Sequence, residues 1–177
     1  QISSAGGLTF NVAPDYETKN SYSVIVEATD NNGNKGTKAV SITITDVDEV
    51  APVITGSESV SIAEGTTAVA TYNANESVNW GLSGTDHAAL QISSAGGLTF
   101  NVAPDYETKT SYSVTVEATD GNGNQSTQLV SIQITNINDN VPYFSSGSSF
   151  SVVEKQTSVG MLSASDGDGD TLTFSIS

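Results

Sequence analysis

The sequence predicts an all-β chain built of tandem seven-stranded Greek-key β-sandwich repeats. Three observations predict it. Residues 1–19, QISSAGGLTFNVAPDYETK, recur unchanged as residues 91–109, a period of 90 residues. Short runs rich in Val, Ile, Thr, Tyr and Phe alternate with clusters of Gly, Asn, Asp and Ser, the pattern of half-buried antiparallel strands. No helical period interrupts them.

Beyond the identical block the match continues with substitutions: SYSVIVEATDNNGN becomes SYSVTVEATDGNGN, and VSITITDVDEVAP becomes VSIQITNINDNVP. The other half recurs more loosely, Val60-Ser61-Ile62-Ala63-Glu64 answering to Phe150-Ser151-Val152-Val153-Glu154 and Pro52 to Pro142. This divides the chain into the second half of a repeat (residues 1–48), a complete repeat (49–140) and the first half of the next (141–177). The chain reads as a window of a longer one. The other reading is that the two halves complement each other between copies, head to tail.

Within the complete repeat the elements follow in order. Residues 59–63 alternate polar and apolar side chains, and the Glu64-Gly65 turn stops them. Strands follow at residues 68–73, 78–83 and 90–93, each bounded by Asn, Gly or Ser. The Gly96-Gly97 pair supplies the positive backbone angles of a tight turn into a fifth strand at residues 98–102. The last two, residues 111–118 and 127–135, are the longest, joined through an Asp120-Gly-Asn-Gly-Asn loop. Seven strands in about 90 residues make a sandwich. Trp80, in the third strand, is expected to pack in the core, and His87 to be an ordinary loop residue.

Composition limits the function. Five Lys and Arg face 20 Asp and Glu, a net charge of −15, which excludes nucleic acid and anionic membranes as partners and makes cations the natural counterpart. With no cysteine there is no disulfide and no thiolate metal site, so extra rigidity must come from packing or from hard cations held by oxygen. No apolar run approaches a membrane span and no leader opens at Gln1, so no membrane insertion is expected.

Strand parity sorts the acids. Loops after odd strands fall at the outgoing end of the sandwich, which receives Glu64 and the Asp105-Tyr106-Glu107 turn. An odd strand count also sends the linker out there, with Asn136, Asn138, Asp139 and Asn140. Loops after even strands fall at the incoming end, which holds Asp120 in the complete repeat and Asp166-Gly167-Asp168-Gly169-Asp170 in the next. Six carboxylates, Glu64, Asp105, Glu107, Asp139, Asp166 and Asp168, are therefore expected to meet at the second seam. Two like charges about 5 Å apart at an effective dielectric near 20 repel by about 3 kcal/mol, so such a seam requires a cation. Calcium, which tolerates mixed carboxylate, amide and carbonyl oxygens, suits it better than magnesium. The corresponding set at the first seam is Asp15, Glu17, Asp46, Asp48, Glu49 and Asp120.

At these residues the chain resembles a cadherin repeat, of immunoglobulin-like architecture, over nearly its whole length. Asp105-Tyr106-Glu107 is similar to the family's D-x-E turn, Glu64 to its early glutamate, and Asn136-Ile137-Asn138-Asp139-Asn140-Val141-Pro142 to its D-x-N-D-N-x-P linker. Asp166-Gly167-Asp168 stands where the family has D-x-D, and Ala118-Thr119-Asp120 where it has A-x-D. The resemblance implies calcium as cofactor, bound at each junction between neighbouring repeats. Near-identical, glycine-rich copies look like those of large bacterial secreted adhesins of the type I secretion, RTX kind. Three departures matter. Asn136 replaces the linker's first aspartate; the earlier linker, Asp46-Val47-Asp48-Glu49-Val50-Ala51-Pro52, carries acids where the family has amides; and Asn73-Ala74-Asn75-Glu76 takes the place of a D-x-D loop. The first junction is therefore expected to bind fewer ions than the second.

Two other chemistries fit these residues less well. Asp105 and Glu107 could form a glycosidase pair, but they recur as Asp15 and Glu17, and duplicated catalytic sites in tandem are implausible. His87 has no second histidine or cysteine with which to build a zinc or nucleophile site. The chain is thus read as no enzyme but as a calcium-rigidified extracellular stalk of a cell-surface adhesin. The alternative is a module that binds glycans, or like repeats in trans.

Overall fold

A computed structural model describes residues 1–177 as two compact units, Gln1–Val50 and Ala51–Ser177. In Gln1–Val50, β1 (Ser21–Thr29) and β2 (Lys35–Thr43) form an antiparallel hairpin with Tyr22 opposite Ile42 and Val24 opposite Val40. Its turn is organised by Asp30, whose Oδ1 accepts the Asn32 and Asn34 N–H groups at 2.9 and 2.8 Å. An exposed loop aspartate satisfying backbone donors in this way is a turn former. Ahead of the hairpin, Ile2 bridges Leu8.

In Ala51–Ser177 the strands are β3 (Ile54–Thr55), β4 (Ser59–Ala63), β5 (Ala68–Thr71), β6 (Asn73–Ala74), β7 (Asn79–Ser83), β8 (Leu90–Ile92), β9 (Gly97–Phe100), β10 (Ser111–Thr119), β11 (Gln125–Thr135), β12 (Tyr143–Phe144) and β13 (Ala164–Ser165). One sheet runs β4-β11-β10-β7, and a second runs β5-β9-β8. The alternation along β11, with Val130, Ile132 and Ile134 buried and the residues between them exposed, aims one face of the first sheet inward. Tyr72, Leu90, Leu98, Phe100, Val114 and Val116 complete the core. β4 lies parallel to β11, Ser59 beside Ser131 through Ala63 beside Thr135. That direction is the one an odd strand count requires, and it sets the C-terminal ends of both strands side by side.

The expected seven strands are present, with small shifts at their ends. Four features differ from the sequence reading: the β3–β6 pair, the division of the expected strand 68–73 into β5 and β6 at Tyr72, the 3-10 turn at His87–Ala89, and the backbone at Gly97. β3 pairs with β6 in a two-stranded sheet of their own ahead of the first expected strand, so the incoming chain pairs there before β4 joins β11. A two-residue strand has no periodicity to read. His87–Ala89 forms a short 3-10 turn, whose three residues are too few to show a helical period. Trp80 packs against the core, and His87 is exposed, its Nδ1 2.8 Å from the Gly84 carbonyl oxygen. Between β8 and β9 only Gly96 has a positive φ, +78°; Gly97 does not. A Cβ on Gly96 would stand 2.0 Å from the Tyr72 carbonyl oxygen, so both conformation and space demand glycine there. No helix is long and apolar enough to cross a membrane.

Candidate metal centre

Because β4 and β11 end together, Glu64 and the linker after Thr135 start from one place. The Glu64 N–H donates to the Thr135 carbonyl at 3.1 Å, and Gly65 donates to Pro104 at 3.0 Å, which draws in the 105–107 turn. The Glu64 side chain is buried and spans both neighbours: Oε2 accepts the Tyr106 N–H at 2.8 Å and Oε1 the Ile137 N–H at 2.7 Å. Both oxygens thereby satisfy backbone donors while keeping lone pairs for another ligand.

One carboxylate oxygen from each of Glu64, Glu107, Asp139 and Asp168 lies within 4.8 Å of the others. Neither Lys nor Arg makes an ion pair with any of the four. Two of them respond to the crowding. Desolvation, then the neighbouring Asp105, Glu64 and Asp168 carboxylates, raise the Glu107 pKa above its ordinary value, against the pull of a backbone N–H. Desolvation and the charges of Glu64, Asp168 and Asp105 raise that of Asp139. Asp168 goes the other way. Desolvation pushes it up, but the Asn140 backbone and side-chain N–H groups outweigh this and hold it below the usual carboxylate range. Those bonds measure 2.8 and 3.3 Å.

Two of the six acids expected together instead organise their own turns. Asp105 accepts the Glu107 N–H at 3.0 Å and the Thr108 hydroxyl at 2.8 Å, and the Thr108 hydroxyl bond is the main cause of its lowered pKa. It still lines the hollow beside Glu64, Glu107, Asp139 and Asn140. Asp166 Oδ1 accepts the Asp168 N–H at 3.0 Å and shapes the loop that presents Asp168. The linker amides lie against that loop. Asn136 Nδ2 donates to the Asp168 carbonyl at 3.3 Å, Asn138 Nδ2 donates to Asp170, and Asn140 packs where a Cβ on Gly167 would come within 2.8 Å. Asp170, absent from the expected ligand set, is therefore a clamp for Asn138. The regular Asp-Gly-Asp-Gly-Asp alternation was its signal.

Within Gln1–Val50, oxygens of Glu17, Asp46 and Glu49 lie within 4.8 Å of one another, all three residues exposed. Asp15 holds the Glu17 N–H at 3.0 Å and the Thr18 hydroxyl at 2.8 Å, repeating the Asp105 turn. Asp48 Oδ1 accepts the Val50 N–H at 3.1 Å. In Ala51–Ser177, Asp120 is buried and organises the β10–β11 turn, accepting the Asn122 and Asn124 N–H groups at 2.8 Å.

Comparison with known proteins agrees with this architecture. Residues 48–133 match the family described as Bacterial Ig domain. The chain is 33% identical over 189 residues to the protocadherin-like wing polarity protein stan of Drosophila melanogaster, an alignment covering 92% of this chain and 5% of that protein. Among solved structures it is similar to the protocadherin gammaB4 extracellular domain, at 28% identity and a TM-score of 0.58, over 88% of this chain and 28% of that one. It is similar also to the protocadherin gammaB7 EC3-6 cis-dimer, at 27% identity and a TM-score of 0.57, over 86% and 41%. The chain thus spans only a small part of the curated relative's length.

Proposed function

From the premise that this is a cadherin-like chain of immunoglobulin-like sandwich architecture with cadherin relatives, we propose that it is an extracellular spacer of a surface adhesin, stiffened by calcium. The supporting observation is the four-carboxylate cluster of Glu64, Glu107, Asp139 and Asp168, which draws on a strand end, a turn, a linker and the following loop. One ion there would tie all four segments together. The donors are carboxylate oxygens with amide and carbonyl oxygens close by, a set that suits a hard cation of flexible coordination. Asn136, Asn138 and Asn140 orient the linker over the cluster, with Asp105 and Asp166 holding its two flanking turns. Glu17, Asp46 and Glu49 are proposed as ligands of a second ion.

Division into repeats at 48/49 and 140/141 follows from this reading, since each ion would mark a boundary. The role is mechanical: repeats held in line by calcium keep a distal adhesive module away from the cell. A bacterial secreted adhesin is the parent proposed, supported by the Bacterial Ig domain match and the near-identical copies. Extracellular modules bind calcium at roughly 10⁻⁴ to 10⁻³ M, so such a stalk sets outside the cell and stays loose inside it. Calorimetric titration of the chelated chain tests this. Heat of binding in that range, reduced in a Glu107→Gln, Asp139→Asn double variant to what the Glu17, Asp46 and Glu49 site contributes, is the expected result; no binding at millimolar calcium would overturn it.

A further inference from the structure

β11 is paired with β10 along its length, but on its other side only from Ser131 onward. Its even-numbered residues bond to β10, as the Ile134 N–H does to the Thr110 carbonyl at 2.8 Å; its odd-numbered residues face the opposite edge, where the Ser131 N–H donates to the Glu58 carbonyl at 2.8 Å. Before that point Gln125, Thr127 and Leu129 turn their N–H and C=O groups to the same edge, by the alternation of the ladder, and no strand lies beside them. The incoming segment does not fill the place. The Ser126 hydroxyl donates to the Pro52 carbonyl and Gln128 Nε2 to the Gly56 carbonyl at 3.1 Å, both side chains sharing the inward face of Val130. Residues 52–56 thus close the sandwich on the core side of the strand and leave its edge free. What remains is an open hollow of about 620 Å³ lined by Pro52, Val53, Ile54, Glu58, Thr127 and Leu129. Val53 and Leu129 are 56% and 61% exposed.

Natural sheet edges are kept from pairing by lysines, either along the edge or pointing inward beside it. The sister strand β2 has both: Lys35 and Lys38 stand at the positions of Gln125 and Gln128, in a hairpin of the same register. In the complete repeat they are gone, and residues 125–135 carry no charge at all. On a chain of net charge −15 this bears on the choice of partner. A foreign partner steered by that charge would be basic, and the hollow offers it only Glu58. A like copy is repelled over most of its surface, and an uncharged strand is where it approaches at least cost. The edge is also self-complementary. A two-fold axis through Thr127 sets that residue against itself and Gln125 against Leu129, all of them residues whose backbone groups face the edge.

We infer that the free edge at residues 125–129 is a docking surface for the same edge of a second copy, the two strands pairing antiparallel about a two-fold axis. Thr127 faces its own counterpart, Gln125 faces Leu129 on either side of it, and each pair exchanges backbone hydrogen bonds, joining two four-stranded sheets into one. β4 bounds the register, since it occupies the edge from Ser131 onward. Leu129 gains the aliphatic stem of the opposing Gln125 as cover. Only the complete repeat contributes, and none of the proposed metal ligands does, so the contact stands apart from the calcium reading.

The test is sedimentation of the 177-residue chain from about 1 to 300 μM, around the weak, micromolar end of protein interfaces. Chelator removes ion-dependent contacts, and physiological salt screens the like charge of the copies. The chain should pass from monomer toward dimer over this range. Thr127→Pro removes an N–H that the repeat itself does not use, so it should leave the melting curve in place and weaken the dimer by about tenfold or more. Thr127→Lys, which sets two like charges face to face across the axis, should do the same should proline disturb the strand. Because the chain has no cysteine, the pairing can also be captured directly. A hydrogen-bonded antiparallel pair holds its Cα atoms about 5.5 Å apart, within disulfide reach. Thr127→Cys should therefore cross-link to a dimer under mild oxidation, and Gln133→Cys, on the same strand beside β4, should not. A wild-type chain that stays monomeric throughout, Thr127→Pro and Thr127→Lys variants that both dimerise as well as the wild type, or cross-linking no faster at Thr127→Cys than at Gln133→Cys would each overturn the inference.

Discussion

Glu64 accepts the Ile137 N–H at 2.7 Å, which fastens the end of β4 to the linker leaving β11. Its other oxygen takes the Tyr106 N–H at 2.8 Å, so one buried carboxylate fixes two of the segments that surround the acidic cluster. The residue has a structural role before any ion is considered.

Replacing Glu64 by Ala should therefore destabilise even the chelated chain. It strands two partly buried backbone donors, each worth about 1–3 kcal/mol when left unsatisfied, so a loss of at least about 2 kcal/mol is expected in urea unfolding. Glu64→Gln retains one acceptor oxygen and should lose about half as much. If both variants match the wild type in chelator, Glu64 is not the fastener described.

Glu107 and Asp139 should behave in the opposite way. Both carboxyls are held above their ordinary pKa values, first by desolvation and then by neighbouring acids, so their charged forms are disfavoured in the folded chain without an ion. Glu107→Gln and Asp139→Asn should raise the melting temperature in chelator and lower it in millimolar calcium. The crossing of the two curves is the signature, read by thermal unfolding under both conditions. A variant that lowers stability in both conditions would mark these side chains as packing residues.

The fold was largely legible from the repeat and from two-residue alternation, because long strands such as β10 and β11 print their burial pattern directly in the sequence. Parity then placed Glu64, Glu107, Asp139 and Asp168 at one end without any contact being known. What it could not show was which acids also organise their own turns. Asp105 and Asp166 stand among the expected six, yet each turns its carboxylate onto backbone donors two residues ahead, at 3.0 Å in both cases. A count of acids cannot separate a carboxylate that organises a turn from one that faces a neighbour. The β3–β6 pair was equally hidden, since two residues carry no alternation.

The pH dependence follows from the same groups. Glu107 and Asp139, with raised folded pKa values, contribute stability that is complete below their unfolded pKa and lost as pH rises through the folded one. Asp105 and Asp168 are depressed, the first chiefly by the Thr108 hydroxyl, the second by Asn140 against desolvation. Their contribution is present above the unfolded pKa and lost as pH falls through the folded one. Acid should therefore act mainly on the ion-dependent part: protonating Glu107 and Asp139 removes two proposed ligands and relieves the repulsion that calcium offsets. The gain in melting temperature on adding calcium should be largest near neutrality and shrink toward zero as pH approaches the carboxylate range near 4. A gain that is unchanged by acid would place calcium elsewhere on the chain.

The two copies of one turn offer a further test, because Gly6 and Gly96 occupy the same position of an identical segment with φ of +83° and +78°. Placing Ala at either costs the left-handed backbone penalty, roughly 1 kcal/mol. At Gly96 the new Cβ would also stand 2.0 Å from the Tyr72 carbonyl oxygen, and the backbone at Tyr72, between β5 and β6, must move; at Gly6 nothing lies within 4 Å. Gly96→Ala should thus lower stability by roughly 3 kcal/mol or more, combining backbone strain with displacement of the packed backbone at Tyr72. Gly6→Ala should leave the complete repeat's unfolding transition unmoved.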